Sequence, residues 1–252
     1  MPTDAYERFL ARYYDSLYAV LRNPSGDREF YLGLAQEVGG PVLELGCGTG
    51  RVLLPIAERG IECVGVDASP AMLALFRAKN PPANVCLIES SMETVNVDAE
   101  RFRLVTIPFR ALSHLLSVDA QLATLERVQR QLAPGGVLAL DVFDPKLERI
   151  ALSEEKESLS ARFYEGKHEI RRWESIRRDA TTQIMSVTFR FEGGPSELTG
   201  STEIQLRWFY RYELEHLLAR AGFTDVSFFG GFDRRPWTAG GETIVIARVG
   251  PS

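Results

Sequence analysis

Apolar residues follow two rhythms along the chain. Short apolar runs predict buried strands at Pro41–Gly46, Ile61–Asp67, "NVCLIES" (84–90), "FRLVTIPF" (102–109) and "VLALDVF" (137–143). Between them apolar residues recur at helical spacing. "RVLLPIAERG" stops at Gly60, and "SPAMLALFRAKN" opens with Ser69 as N-cap and Pro70 at its first position. "DAQLATLERVQRQLAPGG" puts Leu122, Leu125, Val128 and Leu132 on one face and closes at Pro134 and Gly135. Strands alternating with helices predict a parallel sheet covered on both faces.

From about Asp144 to Arg207 the rhythm changes to period two. In "TQIMSVTFRFEGG", Met185, Val187, Phe189 and Phe191 fall on one face, and Ser186, Thr188, Arg190 and Glu192 on the other. That predicts an antiparallel strand with one wet face, ending at a Gly-Gly turn, and "KHEIRRWESIRRD" reads as its partner. The Arg171–Arg178 stretch is interleaved with glutamates and reads as a solvated face. The first rhythm returns with the helix "YELEHLLARAG" and the strands "FTDVSFFG" and "TIVIARV". The division expected is a core of 1–143 plus 208–252, with 144–207 as an inserted antiparallel subdomain covering the acceptor site.

Composition narrows the function. The 252 residues can bury a full core, and 45% hydrophobic with 25% charged residues is ordinary for a globular chain. A net charge of −5 argues against nucleic acid as the main partner. The three cysteines, Cys47, Cys63 and Cys86, have no metal or redox spacing, and a reducing cytoplasm is the simple expectation. The opening "MPTDAYERFL" is too polar for a signal peptide, and no apolar run is long enough to span a membrane.

The chemistry is carried by "PVLELGCGTGR" (41–51). A glycine-rich turn from strand to helix lets a ligand approach the backbone and presents free N–H groups. Gly46, Gly48 and Gly50 give G-x-G-x-G, one residue short of the dinucleotide spacing G-x-G-x-x-G. Glu44 precedes the turn, and Asp67 ends the second strand, where a carboxylate can accept both hydroxyls of a ribose.

"VLELGCGTGR" followed by "GVDASPAML" resembles the class I S-adenosylmethionine-dependent methyltransferases. "FRLVTIPFRALSHLL", "LAPGGVLALDVF" and "RWFYRYELEHLLARAGF" extend the resemblance over nearly the whole chain. It implies a Rossmann-like α/β fold: a seven-stranded, mostly parallel sheet of order 3-2-1-4-5-7-6, strand seven antiparallel, helices on both faces, and a small antiparallel insertion after strand five. The insertion looks most like small-molecule members, including those that methylate sugar or peptide amines.

The resemblance also implies site residues. Gly46, Cys47, Gly48 and Gly50 would lie under the methionine and ribose of S-adenosylmethionine. Glu44 would hold its ammonium, Asp67 its ribose, and Ala68 and Met72 would pack on adenine. The family's acidic residue after strand three is replaced by Ser90 and Ser91, leaving adenine to Ser91 and the Met92 backbone. Phe109 sits where strand four opens toward the sulfonium. Met72 and Phe109 read equally well as core residues.

Methyl transfer from a sulfonium needs no metal; it needs an aligned acceptor, excluded water and a proton acceptor. His114, after the fourth strand at the carboxyl edge of the sheet, is the candidate base; a histidine that only bonds a loop is the alternative. "ARYYDSLY" (11–18) reads as a helix folding over the cofactor, with Tyr14 of the Tyr14–Asp15 pair facing the site and Tyr13, Tyr18 and Tyr31 as competitors. His216 reads as structural, and His168 is open. The expected activity is methylation of a small-molecule nitrogen or oxygen. The alternatives are a peptide, protein or RNA acceptor, a non-catalytic cofactor-binding protein, or an NAD-dependent oxidoreductase.

Overall fold

The computed structural model describes residues 5–21, 26–97, 102–194 and 199–249. A seven-stranded sheet carries β1 (Val42–Leu45), β2 (Cys63–Asp67), β3 (Val85–Glu89), β4 (Phe102–Ile107), β5 (Leu132–Phe143), β10 (Phe223–Phe229) and β11 (Glu242–Val249). Its order is β10-β11-β5-β4-β1-β2-β3. The pairs β1–β2, β1–β4, β2–β3 and β4–β5 are parallel, and β11 runs antiparallel to both β5 and β10. This is the expected order, with the last two strands numbered ten and eleven because four strands intervene.

Alternation along each strand feeds two cores. Leu43, Leu138, Leu140 and Val245 pack on one face with α5 (Val118–Gln131) and α7 (Arg211–Arg220). Val42, Ala139, Ile244 and Ile246 pack on the other with α2 (Asp27–Val38) and α3 (Leu53–Ala57). Helix α2 has no counterpart among the sequence expectations. Helix α5 ends earlier than expected, at Gln131. Strand β5 begins at Leu132 opposite Phe102, and pairing resumes only at Leu104 with Val137. The excursion at Ala133–Gly136 is where Pro134 and Gly135 interrupt the ladder.

The insertion is a four-stranded antiparallel sheet of order β6-β7-β8-β9: β6 (Glu154–Glu165), β7 (His168–Asp179), β8 (Ile184–Glu192) and β9 (Gly200–Arg207). Only β7 and β8 were legible. The two edge strands carry weaker patterns, and β6 opens on "EEKE", which suits an exposed edge. On the wet face Arg190 pairs with Glu157 and Glu192, Arg171 with Glu192, and Arg177 with Glu203.

The dry face is covered by the N-terminal segment, a π-helical turn (Tyr6–Ala11) running into α1 (Arg12–Leu21). Phe9, Leu10, Tyr13 and Leu17 pack against Ala161, Phe163, Ile170, Val187, Phe189 and Phe191. Tyr13 meets Phe163 and Phe191 at ring distances of 5.4 and 5.2 Å. Gly200 accepts Phe9 because it lacks a Cβ, which would sit 2.5 Å from the ring.

Candidate active site

The glycine turn leaves β1 with Gly46 and Cys47 both donating their N–H to the Val66 carbonyl, at 2.8 and 3.0 Å. All three glycines have positive φ, but their surroundings differ. A Cβ on Gly50 would lie 2.4 Å from the Phe76 ring, and one on Gly46 would lie 2.8 Å from Ala111. A Cβ on Gly48 would meet nothing within 4 Å. Gly50 is bare for packing, whereas Gly48 is bare beside open space.

Asp67, at the end of β2, closes one side of that space. Its Oδ2 accepts from Gly48 N at 2.7 Å and its Oδ1 from Ser69 N at 2.8 Å. Each oxygen keeps a lone pair for a further donor. Burial raises its pKa, and the backbone bonds oppose the shift. Glu44 is 1% exposed, with Thr106 Oγ1 at 3.4 Å, and burial pushes its carboxyl up to about 8 against the pull of Arg51. The Cys47 side chain turns into the core beside Gly65.

The second wall is α4 (Pro70–Ala78), capped by Ser69, whose hydroxyl accepts from the buried Met72 N at 3.1 Å. Ala68 lies between Asp67 and this cap. Ser90 N donates to the Asp67 carbonyl at 3.0 Å, tying the exit of β3 to that of β2. The Ser91 hydroxyl is engaged with Thr94 at 2.6 Å, and Met92 packs on the core below Gly46.

The N-terminal segment is fastened to these same backbone segments. Glu7 Oε2 accepts from Ser69 Oγ at 2.9 Å and Ala71 N at 3.0 Å, at the start of α4. Asp15 accepts from Thr49 Oγ1 at 2.6 Å and pairs with Lys79 at 2.6 Å; Lys79 also donates to the Thr49 carbonyl at 2.9 Å. Glu7 carried no sequence signal, because its partners lie more than sixty positions away.

Beyond β4 an aromatic group gathers. Tyr18 lies 4.6 Å from Tyr14 and 4.7 Å from Phe109, and Tyr14 lies 6.1 Å from Phe109, between ring centroids. The Arg51 guanidinium sits 5.0 Å over Phe109 and is held by Asp27 at 2.6 and 3.1 Å. Burial holds the Tyr14 phenol well above its ordinary pKa, so it keeps its proton and can orient a partner rather than act as a base. The competing tyrosines separate: Tyr13 faces the inserted sheet, and Tyr31 donates to the buried Asp141 at 2.7 Å.

His114 ends the 3-10 turn Ala111–His114, against which β9 packs. Its side chain is exposed, yet the surrounding protein lowers its pKa by desolvation. It makes no hydrogen bond among the described residues, and the neutral ring has a free nitrogen lone pair. His216 is exposed on α7, and His168 opens β7 opposite Glu165.

The donor set fits S-adenosylmethionine. Open backbone at Gly48 admits a chain and ribose, Asp67 offers acceptors to hydroxyls, and the buried Glu44 offers a carboxyl that can ionise against an ammonium. Comparison with known proteins agrees. The family described as "Methyltransferase domain" matches residues 42–136. The cypemycin N-terminal methyltransferase of Streptomyces sp. is 27% identical over 82% of both chains. The CcbJ methyltransferase of Streptomyces caelestis superposes with a TM-score of 0.83 and 26% identity over 98% of both chains. The S-adenosylmethionine-bound CalS10, an amino pentose methyltransferase from Micromonospora echinaspora, gives 0.69 and 25%, again over 98% of both. The fold, the crevice and these similarities support a class I S-adenosylmethionine-dependent methyltransferase, with the methyltransferase domain matched over residues 42–136. Its cofactor is S-adenosylmethionine. Among the described residues no helix is long and apolar enough to cross a membrane.

Proposed function

We propose that the protein methylates an amine nitrogen of a small molecule, with a hydroxyl oxygen as the lesser acceptor. The observation that carries this reading is the bare backbone at Gly48 beside the Asp67 carboxylate, with the Tyr14, Tyr18 and Phe109 rings gathered at the exit of β4. The bound cofactor supplies a methyl group already activated by its sulfonium. Asp67 accepts the ribose hydroxyls, Glu44 faces the ammonium, and Ala68, Met72, Ser91 and Met92 surround the adenine. Tyr14 and Phe109 bound the space where acceptor and methyl meet and exclude water. His114, whose surroundings disfavour the charged ring, takes the acceptor's proton.

The division into a 1–143 plus 208–252 core and a 144–207 insertion gives the acceptor its cover, through β9 and the N-terminal segment together. The free thiols of Cys47, Cys63 and Cys86 favour a cytoplasmic setting. A peptide amine is the second reading, favoured by the N-terminal methyltransferase relative.

The test is transfer of labelled methyl from S-adenosylmethionine to a panel of amino sugars, other small amines, hydroxyl analogues and short peptides. Product on a small amine supports the reading, and product only on hydroxyls or peptides contradicts it. With the acceptor known, His114→Ala should lower kcat by roughly 10²–10⁴, the usual worth of a positioned base, with little change in cofactor affinity. The wild-type rate should rise with pH through the histidine's titration, below its ordinary range. A loss seen only in KM would leave His114 an orienting residue.

A further inference from the structure

We infer that Asp141 is the positioning residue of the transfer site: it holds the exit of β4 in a left-handed corner and thereby fixes the Phe109 ring. Phe109 and Arg110 are consecutive non-glycine residues with φ of 58° and 60°. Such a conformation is strained for a residue with a Cβ and persists only where its surroundings hold it. Here one carboxylate holds both. Phe109 N donates to Asp141 Oδ1 at 2.7 Å, and Arg110 N donates to Oδ2 at 3.2 Å. Asp141 is fully buried on β5, and Tyr31 Oη donates to its Oδ1 at 2.7 Å.

The side chains beyond the corner are pinned as well. Arg110 pairs with Glu242 at 2.7 Å and lies 5.1 Å over Phe143. The corner turns the Phe109 ring against Tyr14 and Tyr18 and under Arg51. Only a carboxylate can serve two successive N–H groups with two acceptor oxygens. An amide of the same shape offers one oxygen and turns a donor toward the other N–H. The inference rests on the reading that Phe109 borders the methyl group.

The experiment uses the full chain with S-adenosylmethionine carrying a 13C-labelled methyl, whose resonance reports ring currents from nearby aromatic rings. Calorimetry first establishes that the wild-type protein binds it; failure there sinks the functional reading and the inference with it. Phe109→Leu then supplies the ring-free reference, and an unmoved resonance in that variant shows the ring is elsewhere and overturns the inference. Asp141→Asn should bind cofactor within about threefold of wild type, a change well under 1 kcal/mol. Its methyl resonance should move toward the Phe109→Leu value. Adding Arg110→Gly, which removes the cost of positive φ, should return it toward wild type. If Asp141→Asn does not fold, Tyr31→Phe removes one donor and keeps the volume, and should give a smaller displacement in the same direction. A wild-type resonance in the folded Asp141→Asn protein, or in Tyr31→Phe where that variant must stand in, overturns the inference.

Discussion

The cofactor crevice and the unit formed by the N-terminal segment with the inserted sheet are built in opposite ways. In the crevice the decisive contacts are short in sequence. Gly48 and Asp67 are nineteen positions apart, and Asp67 and Ser69 are two apart. In the other unit residues 5–21 pack on residues 154–207, and Ser16 reaches Glu165 across 149 positions. One region is a set of turns whose residue types are dictated by backbone geometry. The other is an apolar interface in which many side chains of suitable size serve. The first is constrained by backbone geometry; the second is constrained only by volume and apolarity.

The sharpest way to break that contrast is to empty the second interface. Phe191→Ala removes a fully buried ring that meets both Phe9 and Tyr13. It should cost about 3–5 kcal/mol. Hydrogen exchange should rise in residues 5–21 and 154–207 while β1 and β2 keep their protection. Equal loss in β1 and β2 would mean that the two regions are one cooperative unit.

Within the crevice, Gly50→Ala should destabilise by roughly 2–4 kcal/mol, from the clash with Phe76 plus positive φ. Thermal unfolding measures it, and a second change, Phe76→Leu, should recover part of the loss. No recovery would remove Phe76 as the cause.

Smaller per pH unit is the effect of Glu44. Its carboxyl is raised by burial from 4.5 to about 8, so between those values the folded chain holds a proton that the unfolded chain has released. Stability from this group therefore falls as pH rises through that window, by up to about 1.4 kcal/mol per unit. Glu44→Gln should flatten that slope in pH-dependent unfolding. A cofactor ammonium favours the ionised form, so binding at pH 7 should release a proton. Calorimetry in buffers of different ionisation enthalpy reads this directly; an unchanged heat across buffers would contradict it.

The strands of the main sheet were legible because alternation is a local signal, and their order followed from the family resemblance. The glycine spacing announces a turn of bare backbone, whereas the roles of Glu44 and Asp67 rest on the family resemblance. Three features were not legible. Helix α2, which supplies Asp27 and Tyr31, mixes a buried Asp27 into its apolar face of Phe30, Tyr31, Leu34 and Ala35 and opens on a glycine rather than a side-chain cap. The edge strands β6 and β9 lack the clean alternation of β7 and β8. Glu7 and Asp141 act through partners distant in sequence, and nothing adjacent to either announces a role. Among Tyr13, Tyr14, Tyr18 and Tyr31, helical spacing could not choose; the inserted sheet takes Tyr13 and β5 takes Tyr31, while Tyr14 and Tyr18 both stand beside Phe109.

The central claim is that Gly48 is bare for the cofactor while Gly50 is bare for the core. The most direct measurement is S-adenosylhomocysteine affinity in Gly48→Ala, by calorimetry, beside its melting temperature. A methyl there meets no protein atom within 4 Å, so the stability loss should be limited to the positive-φ cost of about 1 kcal/mol. The same methyl occupies ligand space, so affinity should fall at least about tenfold, or 1.4 kcal/mol. Wild-type affinity in a folded Gly48→Ala protein would contradict the account.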